Sequence, residues 1–185
     1  MRVKKTWLIA GALVATAAAW RVINWEYQIA PNLELVTASA LVAAVFLGWR
    51  WALGVAVATM AVADIIIGNT SILFFTWSAF ALIAVGGLLL KRLKHSPKSL
   101  VLGALGAAVA SSVFFFVFTN FGVWLTTDMY PKTWAGLMQS YYLGLPFYRA
   151  MLLGNLVIVP AYFAVALYAP VLLRQVRKAP AKAEA

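Results

Sequence analysis

The sequence predicts an all-α integral membrane protein with six transmembrane helices and both termini in the cytoplasm. Three observations carry that expectation. Of 185 residues, 64% are hydrophobic and 11% charged, against about 45–50% apolar and roughly 25% charged in an average soluble domain. Six apolar segments follow one another with short polar connections between most of them. The basic residues gather on one side of the layout those segments define.

A spanning helix crosses a hydrocarbon core about 30 Å thick and needs roughly 20 mainly apolar residues. The first candidate is Thr6 to Val22. It also has the layout of a secretory signal: Arg2, Lys4 and Lys5 precede an apolar core, Trp7 to Val14, and A-x-A sites end at Ala17 and Ala19. Gly11, Ala15 and Ala19 recur every four residues, a small-residue ridge suited to close helix approach. We read the segment as a retained first helix whose ridge faces either its own bundle or a partner.

The second candidate, Leu33 to Leu47, is short, and a turn at Gly48-Trp49-Arg50 leads to the third, Trp51 to Ile67. One run through both would be too long for a single span and would bury Arg50, so a hairpin is expected. The fourth is Ser71 to Leu90. The fifth, Leu100 to Phe118, carries a second small ridge of Gly103, Ala107 and Ser111, and the sixth is Phe147 to Leu173. Long outer loops are expected over Ile23–Asn32 and Thr119–Pro146, with an interfacial helix over Thr133–Leu143 inside the second. The chain reads as one membrane domain, residues 1–174, followed by a basic tail, 175–185.

Charge placement orients the layout. With the N-terminus inside, Arg2, Lys4, Lys5, Arg50, Lys91, Arg92, Lys94, Lys98, Arg174, Arg177, Lys178 and Lys182 face the cytoplasm. Arg21, Lys132 and Arg149 are the remaining basic residues and lie outside. This is the positive-inside pattern of a multi-pass membrane protein with both termini inside. It accounts for the net charge of +10 without a nucleic-acid partner.

No catalytic, cofactor or metal set is legible. There is no cysteine, and His95 stands alone in the turn "KRLKHSPK". A Gly-rich phosphate loop and the H-E-x-x-H pattern are both absent. An enzyme is therefore not expected.

The polar residues of interest lie toward the outer side. Asp64, in "MAVADIIIG", is a carboxylate inside an apolar helix, where a charge needs a partner or a purpose. It reads either as an interfacial carboxylate capped by water or by the Asn69 loop, or as a ligand-contacting network residue. Asn155, in "LLGNLVIVP", poses the same question two turns into the sixth segment. In the stretch Phe114 to Arg149, the rings of Trp124, Tyr130, Trp134, Tyr141 and Tyr142 interleave with Asn120, Asp128, Lys132, Gln139 and Arg149. Aromatic residues at an interface are ordinarily an anchoring belt, but interleaved polar groups are what ligand pockets require. The first outer loop adds Arg21, Asn24, Trp25, Glu26, Asn32 and Glu34. A pocket is expected there, walled by Asn120, Trp124, Tyr130 and Tyr141, with Asp64, Arg149 and Asn155 orienting a small molecule.

The runs "FFFVFTNFGVW", "YPKTWAGLMQSYYLGLPF" and "LLGNL" resemble the most characteristic stretch of a family of small bacterial membrane proteins of unknown function. That family is similar in turn to the S components of energy-coupling factor (ECF) vitamin transporters. The resemblance implies a bacterial cytoplasmic (inner) membrane and an S-component-like bundle of six helices with an outward pocket capped by loops. It also implies a first helix whose small face, with Ala15 and Ala19 in place here, slides on the membrane-embedded T subunit of an ATPase-driven module. Two positions depart from the family pattern: Asn155 stands where Asp is common, and the region of Ser140 lacks a frequent Cys. The expected function is a membrane-embedded substrate-binding subunit for a vitamin-like small molecule. The alternative is a structural or assembly subunit whose outer loops dock another protein.

Overall fold

The computed structural model describes residues 2–68 and 72–178, with side chains described over 3–68 and 72–171. All regular structure among them is helical: α1 (Arg2–Tyr27), α2 (Val36–Phe46), α3 (Trp49–Ile67), α4 (Leu73–Gly86), α5 (Pro97–Thr126) and α6 (Trp134–Lys178). A 3-10 stretch, Gly87–Leu93, continues α4. Asn69, invoked above as a cap for Asp64, lies outside the described residues, as do Ser71 and the tail from 179 onward.

Ring contacts sort the helix ends. Trp7 meets Trp51 with centroids 4.6 Å apart, and the Lys94 ammonium lies 5.1 Å from the Phe46 ring centre. The starts of α1 and α3, the end of α2 and the α4–α5 connection therefore share one end, which also holds Lys4, Lys5, Arg50, Lys91, Arg92 and Lys98. At the opposite end Asp64 joins the last turns of α1 and α3 to the start of α4, through Arg21 and Trp77. The α2–α3 turn rests on Gly48 at φ +102°, a conformation a β-carbon disfavours.

Among the described residues five helices, rather than the six expected, are long and apolar enough to cross a membrane. The exception is α2, whose 11 residues extend about 16 Å. Its apolarity serves burial inside the protein instead of lipid contact: every residue from Val36 to Val45 is buried. The chain reaches its start by dipping back into the bundle. The Trp20 indole N–H donates to the Leu33 carbonyl at 2.9 Å, which holds Leu33 about two turns below the end of α1.

The long outer loop expected over Thr119–Pro146 is largely helix. Helix α5 continues through Thr119-Asn120 to Thr126 because these polar side chains fold back on their own helix. Thr119 Oγ1 donates to the Phe115 carbonyl at 2.7 Å, Asn120 Nδ2 to Phe116 at 2.8 Å and Thr126 Oγ1 to Gly122 at 2.8 Å. Gly122, inside the stretch expected as loop, is a packing residue: a Cβ there would overlap the Phe75 side chain. The link to α6 is short. Lys132 Nζ donates to the carbonyls of Trp124 and Thr127 at the α5 C-terminus, where a cation suits the helix dipole.

The interfacial helix and the sixth segment are likewise one helix, α6, with Pro146, Pro160 and Pro170 inside it. Proline is tolerated within membrane helices where neighbouring groups satisfy the freed carbonyls. The two small ridges differ in use. In α5 a Cβ on Gly103 would overlap Leu93 of the 3-10 stretch, so that ridge packs within the bundle. In α1, Gly11, Ala15 and Ala19 are all exposed, and a Cβ on Gly11 meets nothing within 4 Å.

Candidate functional site

Because α2 is short, none of the described residues continues it as a helix toward the end opposite the basic residues. A spanning helix would need roughly nine more residues there, about 13 Å. A cavity of about 530 Å³ lies at this end, lined by α1, α3, α4, α5 and α6 and by both loops. Helix α1 supplies Arg21, Asn24 and Trp25, and α4 supplies Thr76 and Phe80. Phe115, Thr119 and Asn120 come from α5, and Gly144, Phe147 and Met151 from α6. The α1–α2 loop closes one side with Gln28 and Ala30 to Glu34, and Met129 and Tyr130 of the α5–α6 link close another.

Asn24 holds the α1–α2 loop. Its Nδ2 donates to the carbonyls of Ala30 and Leu33 at 2.8 and 3.1 Å, and its Oδ1 accepts the Ala30 N–H at 3.0 Å. Gln28 and Asn32 adopt positive φ, 48° and 57°, which lets the loop turn back. Leu33 then packs on Gly154 of α6, where a Cβ would overlap its side chain. Gly154 and Asn155 of the "LLGNL" run thus receive consecutive loop residues: Leu33 rests on the glycine, and the Asn155 side chain neighbours the Glu34 carboxylate.

Two polar centres flank the cavity. In the first, Arg21 Nη2 donates to Asp64 Oδ1 at 3.2 Å, and Trp77 Nε1 donates to Asp64 Oδ2 at 2.6 Å. Asp64 does not line the cavity; it neutralises Arg21, which does. In the second, Glu34 Oε2 accepts the Thr37 N–H at 2.8 Å and so supports the α2 N-terminus. Its Oε1 has no hydrogen-bond partner among the described residues. Asn155 Nδ2 donates to Ser112 Oγ at 3.1 Å and ties α6 to α5 at a fully buried point.

Of the residues expected to bind a ligand, Asn120 and Tyr130 line the cavity. Asp64 and Asn155 stand behind lining residues, while Trp124, Tyr141 and Arg149 are outside the cavity wall. Trp124 donates to the Pro131 carbonyl at 2.9 Å and braces the α5–α6 link. The Tyr141 hydroxyl donates to the Val117 carbonyl at 3.3 Å, and Arg149 is exposed on α6. Asn120 is also the hinge of the α5–α6 contact: its carbonyl accepts Ser140 Oγ at 2.8 Å, and a Cβ on Gly144 would overlap its amide. Of the first outer loop's polar set, all but Glu26 reach the cavity wall. Phe80, Phe115 and Met151 were not legible, because single apolar residues in apolar helices carry no sequence mark.

A helical bundle with five helices long and apolar enough to cross a membrane among the described residues, and a loop-closed cavity, defines a small helical protein with a ligand-sized chamber at one end. The chain belongs to a family of unknown function, DUF6580, whose model matches residues 1–179. No curated protein and no solved structure matches it.

Proposed function

We propose that this protein is a membrane-embedded substrate-binding subunit of an ECF-type uptake transporter, capturing a vitamin-like small molecule from outside the bacterial inner membrane. The observation that carries the reading is the cavity of about 530 Å³ at the end opposite the basic residues. With the basic end in the cytoplasm, as the positive-inside rule requires, that chamber faces outward. Its aromatic and apolar walls with a few placed polar groups have the composition of a small-molecule site. Loop 28–35 is its gate, held by Trp20 and Asn24 and bearing no helix of its own.

The exposed ridge of Gly11, Ala15 and Ala19 is the face offered to a T subunit, with ATPases supplied by other chains. A Cβ on Gly11 would meet nothing within 4 Å among the described residues, so the mid-helix glycine has no packing reason there. The test is ligand-dependent thermal stabilisation of the purified protein across a panel of vitamins and nucleobases. Saturable stabilisation by a member of the panel supports the reading. Its absence throughout, with stoichiometric co-purification of a complex that transports nothing, would replace the reading with a structural subunit.

A further inference from the structure

We infer that the cavity selects a cationic ligand, a flat apolar body bearing a protonated amine or amidine, and that Glu34 is the residue that recognises the charge. The inference rests on the reading that the cavity takes a small molecule, and adds the chemical class.

The charges around the chamber do not cancel. Arg21 and Glu34 are the two formally charged residues in its wall. Asp64 compensates Arg21 through a 3.2 Å ion pair. Glu34 has no ion-pair partner among the described residues: its polar neighbours are all neutral, the Thr37 N–H, which it accepts at 2.8 Å, the Thr37 and Asn155 side chains and the Val36 backbone. The residue lines the cavity and is 6% exposed, and Oε1 is buried without a hydrogen-bond partner among the described residues. Burial disfavours the charged form of this carboxyl and raises its pKa, Oε1 makes no hydrogen bond among the described residues, and a charged donor delivered by a ligand offsets that cost. Recognition requires the carboxyl to turn toward the cavity that Glu34 lines.

The walls favour the same sign. Trp25, Phe80, Phe115, Tyr130 and Phe147 line the chamber, and aromatic faces attract cations and stack on flat rings. An anionic ligand would meet Glu34 without a free cation, since Arg21 already faces Asp64. The Arg21 Nε–H, also buried without a partner among the described residues, can serve a neutral acceptor on the same ligand.

The experiment uses three probes that share one indole body: tryptamine, which is cationic, tryptophol, which is neutral, and indole-3-acetate, which is anionic. Binding to the purified full-length protein is measured by calorimetry and thermal shift, for the wild type and for Glu34→Gln. Gln keeps the acceptor for the Thr37 N–H and removes the charge.

Tryptamine is expected to bind about tenfold or more tightly than tryptophol in the wild type, and Glu34→Gln is expected to erase that difference. Equal binding of all three probes, or a preference for indole-3-acetate, overturns the cationic assignment while leaving small-molecule binding intact. Binding of none overturns it as well, and the vitamin and nucleobase panel then decides the broader reading separately. Should Glu34→Gln fail to fold, the ratio of tryptamine to tryptophol in the wild type is sufficient to sustain or sink the inference.

Discussion

The ion pair beneath the cavity rim offers the sharpest test of how this bundle is held. Asp64 is 5% exposed at its side chain and Arg21 27%, with 3.2 Å between them. Asp64→Asn leaves the guanidinium half-buried without its counter-charge, and Arg21→Met leaves a buried carboxylate with one cation removed. Breaking a buried pair from one side costs about 3–5 kcal/mol, and partial exposure of Arg21 places this case near the lower figure. In a chain of this size each kcal/mol moves the melting temperature by about 2–4 °C, so each single variant should melt roughly 6–12 °C lower.

The double variant Arg21→Met/Asp64→Asn removes both charges together. Met retains the apolar stem, and Asn retains an acceptor for Trp77 Nε1, which now donates at 2.6 Å. Its loss should be smaller than the sum of the two single losses, with a coupling of about 2 kcal/mol in the cycle. Thermal unfolding in one mild detergent, followed by tryptophan fluorescence, gives all four corners. Strict additivity of the two single losses would refute the claim that these charges act as a neutralised pair.

Four further outcomes follow from the same geometry. Gly144→Ala and Gly122→Ala should each lose about 1–3 kcal/mol through overlap with Asn120 and Phe75, whereas Gly11→Ala should be neutral or gain up to about 1 kcal/mol; comparison of melting temperatures separates them. Asn24→Ala removes three hydrogen bonds from loop 28–35, and hydrogen exchange at Ala30 and Leu33 should accelerate about tenfold or more while the amides of α3 stay protected. Asn155→Leu should cost about 1–3 kcal/mol because Ser112 and Glu34 lose a polar neighbour at a buried position, a loss readable by thermal unfolding. The chain has no cysteine, so Asp128→Cys and His95→Cys can be labelled singly in cells: an impermeant maleimide should reach position 128 and spare position 95, and the reverse pattern would invert the orientation.

What the sequence alone determined was the helical class, the apolar segments and the asymmetry of charge. These properties are written in runs of residue type, and hydropathy or counting reads them directly. The same reasoning ended the fifth helix at Phe118 and placed Thr119, Asn120 and Gly122 in a loop, since polar residues and glycine in an apolar run are the usual punctuation. Tertiary packing reversed both. The polar side chains bond carbonyls one turn back, and the glycine admits the Phe75 side chain. Hydropathy also could not show that α2 is surrounded by protein, because lipid and protein interior reward the same apolar residues.

The candidate site divides along the same line. Arg21, Asn24, Trp25, Asn32, Glu34, Asn120 and Tyr130 were visible as polar or aromatic material near the outer helix ends. Which of these share one chamber depends on a half-length helix and a loop that turns inward, features carried by contacts among α1, the loop and α6. The neutralisation of Arg21 by Asp64 joins residues 43 positions apart, and so does the link from Ser112 to Asn155. No local pattern encodes such pairings. Residue types set which groups must find partners in a low-dielectric bundle, and only the packing of the helices decided that Glu34 Oε1 is left with none among the described residues.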